Sequence, residues 1–414
     1  MKSSVSEWLR PLPTALTALV MLLIFIGILI GRFVLPPGSA ALPGTIAHQL
    51  LSWDGRHYYY IMRFGYSWNP NVGELPGHYQ QIEFFPVQPI LDEMIRWITG
   101  SRAPILMVLL SLGLGIASIY AMDHVSRSVM TLSEARWTTI FFALWPVSSF
   151  YVMGYPTGLI TICIIFCLGD HNAGRYWRSA AWCGLGTATA PTMVFVAFAL
   201  GLHRLVRWLA EPRKAAAIPG LVGWGIVCIW GILGFMIYQA FRFHDPFAFS
   251  KAAAAWGGAP PFGPRLSRLF EPDWYTQQAA AGLREIDHGL GIFHSDLRKA
   301  ANSIQFGVQR WINTATMLVV LIGLIAATVS LSRRAPIFVL AGWTVFAGYL
   351  WFIVSTDQNM LAAPRLLMPA VALFMGLGWL STKLPHPLSY ALGLGLSIVS
   401  IAEVAFAAGG YWVV

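Results

Sequence analysis

Charged residues are scarce in this sequence. Asp, Glu, Lys and Arg make up only 11% of its 414 residues, whereas soluble domains carry about a quarter. The composition is instead 57% hydrophobic. Apolar runs of about 20 residues, enough to cross a hydrocarbon core of about 30 Å, recur from Ala15 to Trp412. The scarcity of charge excludes a soluble globular protein and predicts an all-α polytopic membrane protein.

Hallmarks of disulfide, zinc and nucleic-acid-binding proteins are lacking too. The only cysteines lie inside apolar runs without zinc-type spacing, which is typical of small buried residues: Cys163, Cys167, Cys183 and Cys228. The net charge is +9, but the basic residues punctuate the gaps between apolar runs, so we expect no nucleic-acid partner. No His, Asp and Glu set has metal-ligand spacing and Asp-x-Asp is absent, so we expect no metal and no cofactor.

The apolar runs predict helices that cross the membrane in alternation. They lie near residues 15–35, 104–122, 138–153, 156–169, 217–241, 312–331, 336–355, 366–380 and 387–409. The first run is too long for a signal-peptide core and has no small-residue cleavage site after it, so we expect a retained span.

The stretch from Ser179 to Val206 has two interpretations. A single span would place the basic residues near Arg207 and Lys214 outside, against the positive-inside rule. Proline lacks an amide donor, so Pro191 favours two short helices that meet there. This second interpretation predicts about eleven helices, with the N terminus inside and the C terminus outside. The break at 187–192 is then expected to line a cavity.

Two long polar segments, residues 36–103 and 242–311, fall on the non-cytoplasmic side in this topology. They are too long for simple connections, and both belong to a single membrane domain, residues 1–414. Within the first, apolar residues recur at helical spacing from Val87 to Thr99, beside Asp92 and other charged residues. This pattern predicts a helix that lies on the membrane interface.

The first of these segments holds the leading catalytic candidate. Its motif Trp-Asp-Gly-Arg-His-Tyr at 53–58 places Asp54 between aromatic residues soon after the first span. An acid is costly near the membrane unless it is used, so Asp54 is a candidate catalytic base. The alternative is that Asp54 caps a helix that starts at Gly55. Glu83, in Glu-Phe-Phe-Pro, is a second acid.

Three further polar clusters are predicted on the same side: residues 154–157, 244–258 and 357–365. Each alone is typical of a turn or a helix cap. Their convergence from distant parts of the sequence favours one shared site.

These motifs resemble those of the PIG-V family, the second mannosyltransferase of GPI-anchor assembly, and its bacterial relatives. The resemblance rests on the 53–58 motif, a Gly-Tyr eight residues after the histidine, and Glu-Phe-Phe-Pro before an interfacial helix. The segments at 154–158, 188–192, 244–249 and 364–370 match more loosely. Thr157 and Ala190 stand where relatives carry a glutamate and an arginine.

The resemblance implies a GT-C-like fold and sugar transfer, most simply of mannose, from a polyprenyl-phosphate donor to a lipid or glycolipid acceptor. It places the site on the extracytoplasmic side of a bacterial plasma membrane. Asp54 would act as the general base of an inverting reaction. The residues expected to bind the donor phosphate are Arg365, Arg56, Lys251 and His57. Those expected to contact the sugar or the acceptor are Trp53, Tyr58, Glu83, Tyr155, His244, Asp245, Trp256, Asp357 and Gln358.

Two alternatives stay open. A lipid or glycolipid transporter or flippase would use the broken helix near Pro191 as its substrate site. An inactive scaffold subunit is compatible with the departures at Thr157 and Ala190. The sequence leaves the acceptor, the linkage and the donor sugar open.

Overall fold

The computed structural model describes residues 11–38, 45–69, 80–210, 218–252, 267, 271–356 and 362–411. Within these ranges all regular secondary structure is helical. The N-terminal helices are α1 (Pro11–Phe33), α2 (Ile46–Leu50), α3 (Asp54–Phe64), α4 (Val87–Thr99), α5 (Pro104–Val129), α6 (Leu132–Ala143), α7 (Thr157–Asn172) and α8 (Tyr176–Thr187). They are followed by α9 (Met193–Ala210), α10 (Ile218–Phe243), α11 (Ala248–Ala252), α12 (Pro272–Gly291), α13 (Leu297–Leu331), α14 (Pro336–Thr356), α15 (Ala363–Leu367), α16 (Ala372–Ser381) and α17 (His386–Gly409).

Seven of the described helices are long and apolar enough to cross a membrane: α1, α5, α9, α10, α13, α14 and α17. Helices α7 and α16 are apolar but shorter. These findings confirm an all-helical, multi-pass membrane protein. The total of about eleven passes stays a prediction.

The outer helices expose apolar side chains along one face. On α10, Val222, Ile226, Trp230 and Ile237 are all about half exposed, and their spacing places them on one side of the helix. Lipid rather than water is the solvent that tolerates such a face.

The stretch around Pro191 forms two helices, as predicted. Helix α8 ends at Thr187 and α9 begins at Met193. At the break, the carbonyl of Ala188 accepts a hydrogen bond from the amide of Val87 at 3.3 Å. The break therefore holds the start of α4.

Two of the predicted spans are interrupted. The run at 138–153 ends its helix at Ala143, because Pro146 cannot donate to a helical carbonyl, and continues as the 3-10 helix Ser148–Tyr151. The run at 366–380 is divided between α15 and α16 by a turn that contains Pro369. The indole of Trp145 donates to the carbonyl of Pro364 at 2.9 Å, so the two interruptions meet.

The two polar segments contain helices, as predicted. The first holds α2, α3, the 3-10 helix Gln81–Glu83 and α4, whose bounds match the predicted interfacial helix. The second holds α11, α12 and the start of α13. Helix α13 has 35 residues and is therefore about 50 Å long, so it continues without interruption past the predicted boundary at residue 312.

Candidate active site

Asp54 and Arg365 form an ion pair, although they are 311 positions apart in the sequence. The Nη1 of Arg365 donates to Oδ2 of Asp54 at 2.8 Å. The two side chains are 16% and 21% exposed, respectively, so the pair is largely shielded yet reachable from outside. The structure thus brings together the residues predicted as base and as phosphate ligand.

Asp54 is held by a close approach of α3 to the turn before α7. The hydroxyl of Tyr155 accepts a hydrogen bond from the amide of Asp54 at 3.2 Å. A Cβ at position 55 would lie 2.1 Å from the carbonyl oxygen of Met153, so glycine is required at Gly55. Trp53 has a φ of 57°, a backbone conformation that costs about 1–3 kcal/mol in other residues than glycine.

The interpretation of Asp54 as a helix cap is wrong. Helix α3 begins at Asp54 itself, and Trp53 occupies the cap position without a side-chain cap hydrogen bond. The carboxylate of Asp54 bonds to Arg365 instead of to the free amides of the first helical turn. A negative charge in this turn is still favourable to the helix dipole.

Arg365 is positioned by the interrupted helices. The amide of Ala363 donates to Oδ1 of Asn313 at 3.2 Å, and the preceding residue, Ala362, has a φ of 53°. The guanidinium lies 5.1 Å from the ring centroids of both Phe150 and Tyr155. Cation–π contacts of this kind stabilise a shielded arginine.

Arg365 remains protonated and positively charged. Burial alone lowers its pKa, but Asp54, Tyr155 and Tyr58 outweigh burial, so the pKa is raised above its ordinary value. The Nε of Arg365 has no hydrogen-bond partner among the described residues. The guanidinium therefore keeps a donor for a ligand even while it bonds to Asp54.

The surroundings of His57 favour its neutral form. Burial lowers the pKa of its imidazole, an effect that Asp54 opposes and Arg56 reinforces. The ring stacks on Phe84 with centroids 4.6 Å apart. A neutral imidazole can donate a hydrogen bond to a phosphate but brings it no positive charge. The phosphate-binding role predicted for His57 is therefore limited to hydrogen bonding.

Tyr58 is a buried phenol of the site. Burial raises its pKa and the negative charge of Asp54 raises it further, whereas Arg365 opposes this rise. Its ring lies edge-on to Phe84, with centroids 5.3 Å apart. Tyr58 thus remains protonated and can donate a hydrogen bond.

Asp92 is a buried acid that the sequence analysis did not include in the site. It is 4% exposed, and Gln88 on the preceding turn donates to both its oxygens at 3.3 and 3.4 Å. Burial raises the pKa of Asp92 to about 8. Ile90, Met94 and Ile98 are exposed on the other side of α4.

The sequence did contain an indication of this arrangement. In a lipid environment the apolar face of a helix turns outward, so the polar face of α4 points into the protein, opposite to its orientation in a soluble domain. The i, i+4 pair Gln88 and Asp92 marks that inward face.

The His244–Lys251 segment forms its own local structure. Lys251 pairs with Asp245 at 2.8 Å, and His244 has a φ of 57°. Helix α11 packs against the first polar segment through a small apolar cluster that includes Ile82 and Phe85. The structure thus brings the two segments together, and it shows Lys251 already engaged by an acid.

The remaining predicted site residues divide into two groups. Arg56 is exposed and Glu83 is half-buried. Trp256, Asp357 and Gln358 lie outside the residues that the structure describes.

Within the described ranges, no group of three or more His, Cys, Asp or Glu side chains has an arrangement that could hold a metal ion.

A curated enzyme shows sequence similarity to part of this chain. The chain is 26% identical over 152 residues to GPI alpha-1,6-mannosyltransferase 2 of Mus musculus, a match that covers 35% of this chain and 29% of the mouse protein. The chain thus matches less than a third of the length of that relative. This match confirms the resemblance to the PIG-V family that the motifs indicate. No family model matches the chain.

Two solved structures match most of this chain at low similarity. The oligosaccharyltransferase of Archaeoglobus fulgidus matches with a TM-score of 0.47 and 12% identity, over 96% of this chain and 56% of that chain. ArnT of Cupriavidus metallidurans, solved with undecaprenyl phosphate, matches with a TM-score of 0.41 and 15% identity, over 98% and 78%. Similarity at this level is weak.

Proposed function

We propose that this protein is a membrane glycosyltransferase. It transfers a sugar, mannose in the first instance, from a polyprenyl-phosphate-linked donor to a lipid or glycolipid acceptor, with inversion at the anomeric carbon. The observation that carries the proposal is the shielded ion pair between Asp54 and Arg365. A carboxylate suited to act as a base and a guanidinium suited to bind phosphate are joined in this pair by one hydrogen bond.

Arg365 is the residue we assign to the donor phosphate. A guanidinium binds two phosphate oxygens at once, and the Nε of Arg365 has no hydrogen-bond partner in the described part of the chain. A donor phosphate competes with Asp54 for the guanidinium. Donor binding therefore frees the carboxylate of Asp54, so that Asp54 can act as a base only once the donor is bound.

Asp54 is the residue we assign as general base. It takes the proton of the acceptor hydroxyl while the acceptor oxygen forms its bond to the anomeric carbon. The bond from that carbon to the phosphate oxygen breaks, and polyprenyl phosphate leaves with one more negative charge than it had in the donor. Arg365 stabilises this charge. We propose that no cofactor is needed, because the donor phosphodiester carries a single charge before transfer.

Side chains around the pair complete the proposed site. Tyr58 and neutral His57 donate hydrogen bonds, and Trp53, Tyr155 and Glu83 contact the sugar or the acceptor. We assign Arg56 and Lys251 to the approach of the anionic donor, and His244, Asp245, Trp256, Asp357 and Gln358 to the outer parts of the substrate path.

The proposal also covers topology and location. A GT-C-like domain, residues 1–414, has about eleven passes and carries the site in its first non-cytoplasmic segment, 36–103, near the second, 242–311. The site faces the extracytoplasmic side of a bacterial plasma membrane.

The transporter interpretation has less support. It requires the break near Pro191 to bind substrate, but the carbonyl of Ala188 in that break bonds to Val87. The break therefore has a structural use that needs no cargo.

A transfer assay tests the proposal. Purified protein is incubated with polyprenyl-phosphate-mannose and a crude lipid extract, and the products are identified by mass. We expect a mannosylated lipid and free polyprenyl phosphate, with Asp54→Asn and Arg365→Ala inactive.

The matched controls come from a half-buried ion pair in the same segment, Glu93 and Arg96. Glu93→Gln and Arg96→Ala remove the same types of charge outside the site, and we expect them to stay active. If wild-type protein converts neither this donor nor other polyprenyl-phosphate sugars, the transferase proposal is wrong and the scaffold alternative is favoured. Near-native activity of Asp54→Asn would show that Asp54 is not the general base.

A further inference from the structure

Basic and aromatic residues form a second cluster at the end of α7 that is remote from Asp54. Helix α7 begins two residues after Tyr155 and has 16 residues, which corresponds to about 24 Å. The cluster therefore lies about one hydrocarbon thickness away from the candidate active site. It is built from the ends of α7 and α9 and the starts of α8 and α10.

Tyr176 is the centre of this cluster. Its carbonyl accepts a hydrogen bond from the indole of Trp224 at 2.8 Å, and its hydroxyl accepts one from Nη1 of Arg207 at 3.0 Å. The guanidinium of Arg204 lies 4.0 Å from the centroid of its ring. These contacts fix two arginines of α9 beside one aromatic platform.

The positive charge of the cluster is only partly compensated. Asp170 pairs with Arg175 at 2.6 Å and with Arg178 at 3.4 Å. Arg204 and Arg207 have no acidic partner among the described residues. Two arginines are thus held close together with their charge available to an anion.

Two buried polar atoms at this place also lack partners within the described chain. They are Nε of Arg204 and Nδ1 of His171. His171 is 2% exposed, and its other ring nitrogen, Nε2, lies 3.0 Å from Nδ1 of His203. A buried polar atom without a partner is costly, so these atoms point to a ligand that supplies the missing hydrogen bonds.

The surroundings of the cluster are apolar and exposed. Trp177 is 59% exposed, and Val206, Leu209 and Val222 on the neighbouring helices are each more than half exposed. Tryptophan is typical of the level where headgroups meet hydrocarbon. A ligand at the cluster can therefore place a charged group on the arginines and apolar chains against α9 and α10.

We propose that this cluster is a binding site for the phosphate headgroup of an anionic phospholipid in the leaflet opposite the active site. Arg204 and Arg207 bind the phosphate, and the apolar surface of α9 and α10 receives the acyl chains. Basic pockets between transmembrane helices are suited to such headgroups. The site is independent of the proposed transferase activity.

Native mass spectrometry of the purified protein, titrated with phosphatidylglycerol or with phosphatidylcholine of the same chains, tests the proposal. We expect tighter binding of phosphatidylglycerol. The double variant Arg204→Gln, Arg207→Gln should weaken it about 30-fold, which is about 2 kcal/mol at about 1.4 kcal/mol per factor of ten. The control Arg333→Gln, Lys383→Gln removes two charges on the same predicted side and should change binding less than threefold.

Two further experiments test whether the variants fold and whether the site binds a lipid rather than free phosphate. Arg207 is exposed, so Arg207→Gln alone should fold and still weaken binding severalfold. Inorganic phosphate alone should not raise the melting temperature, because it lacks acyl chains. Equal affinity for the two lipids, equal loss in both double variants, or stabilisation by phosphate as large as that by phosphatidylglycerol would each overturn the proposal.

Discussion

Neutralising the Asp54–Arg365 pair separates its contribution to stability from the catalytic role that we propose for it. Breaking a fully buried pair by removing one partner costs about 3–5 kcal/mol, whereas an exposed pair contributes about 0–1 kcal/mol. The side chains here are 16% and 21% exposed. We therefore expect Asp54→Asn to lower the free energy of unfolding by about 2 kcal/mol, between these limits.

The double variant Asp54→Asn, Arg365→Gln should recover most of this loss. It replaces two opposite charges by neutral groups of similar size, so no charge is left unpaired in the shielded site. The cation–π contacts of Arg365 are lost, at about 1 kcal/mol. Thermal or denaturant unfolding of the detergent-solubilised protein, carried out as a double-mutant cycle, measures this coupling.

Sugar transfer should respond differently. A general base contributes about 10²–10⁴-fold in rate, so Asp54→Asn should lose at least 100-fold, and the double variant should not regain any of it. Restored stability with absent activity is the expected combination. Activity that returns together with stability in the double variant would refute the reasoning, because the pair would then be only structural.

Three further predictions concern the frame of the site and the topology. Gly55→Ala should lower the rate of transfer at least tenfold and the free energy of unfolding by about 1–3 kcal/mol, because the added Cβ would meet Met153. The control is Gly113→Ala, whose added Cβ meets nothing within 4 Å. Equal melting temperatures and transfer rates in the two variants would contradict the close approach at Gly55. Folded Asp92 keeps its proton to about pH 8 against an ordinary pKa of 3.8, so stability should fall as pH rises between these values. Asp92→Asn should flatten the pH dependence of the melting temperature, and an unchanged slope would show that Asp92 is not its source. A cysteine at 214 should resist an impermeant outside reagent while one at 102 reacts; labelling at 214 would contradict the predicted topology.

Much of the site was predictable because its residues are chemically conspicuous in an apolar sequence. Asp54 and Arg365 are charges that a membrane protein does not place near lipid without compensation. Their mutual contact was not predictable, because it depends on how α15 lies against α3. That arrangement follows from the helix interruptions at Pro146 and Pro369. The residues that flank these prolines are apolar and by themselves predict continuous spans.

Asp92 illustrates a second limit. Periodicity located α4 at Val87–Thr99, but periodicity alone does not say which face is turned inward. The answer depends on the solvent: beside lipid, the apolar residues Ile90, Met94 and Ile98 face outward and Asp92 is buried. The tertiary structure settles this through the packing of α4 against the bundle.

The sequence by itself determined that the protein is helical and multi-pass, because scarce charge and long apolar runs are compatible with no other solvent than lipid. It also determined the division near Pro191, because a missing amide donor is a local property of the chain. Only the tertiary structure decided that Asp54 meets Arg365 and that Asp92 points inward. The first contact joins residues 311 positions apart, and the inward orientation of Asp92 is set by the packing of the whole helix α4 against its neighbours.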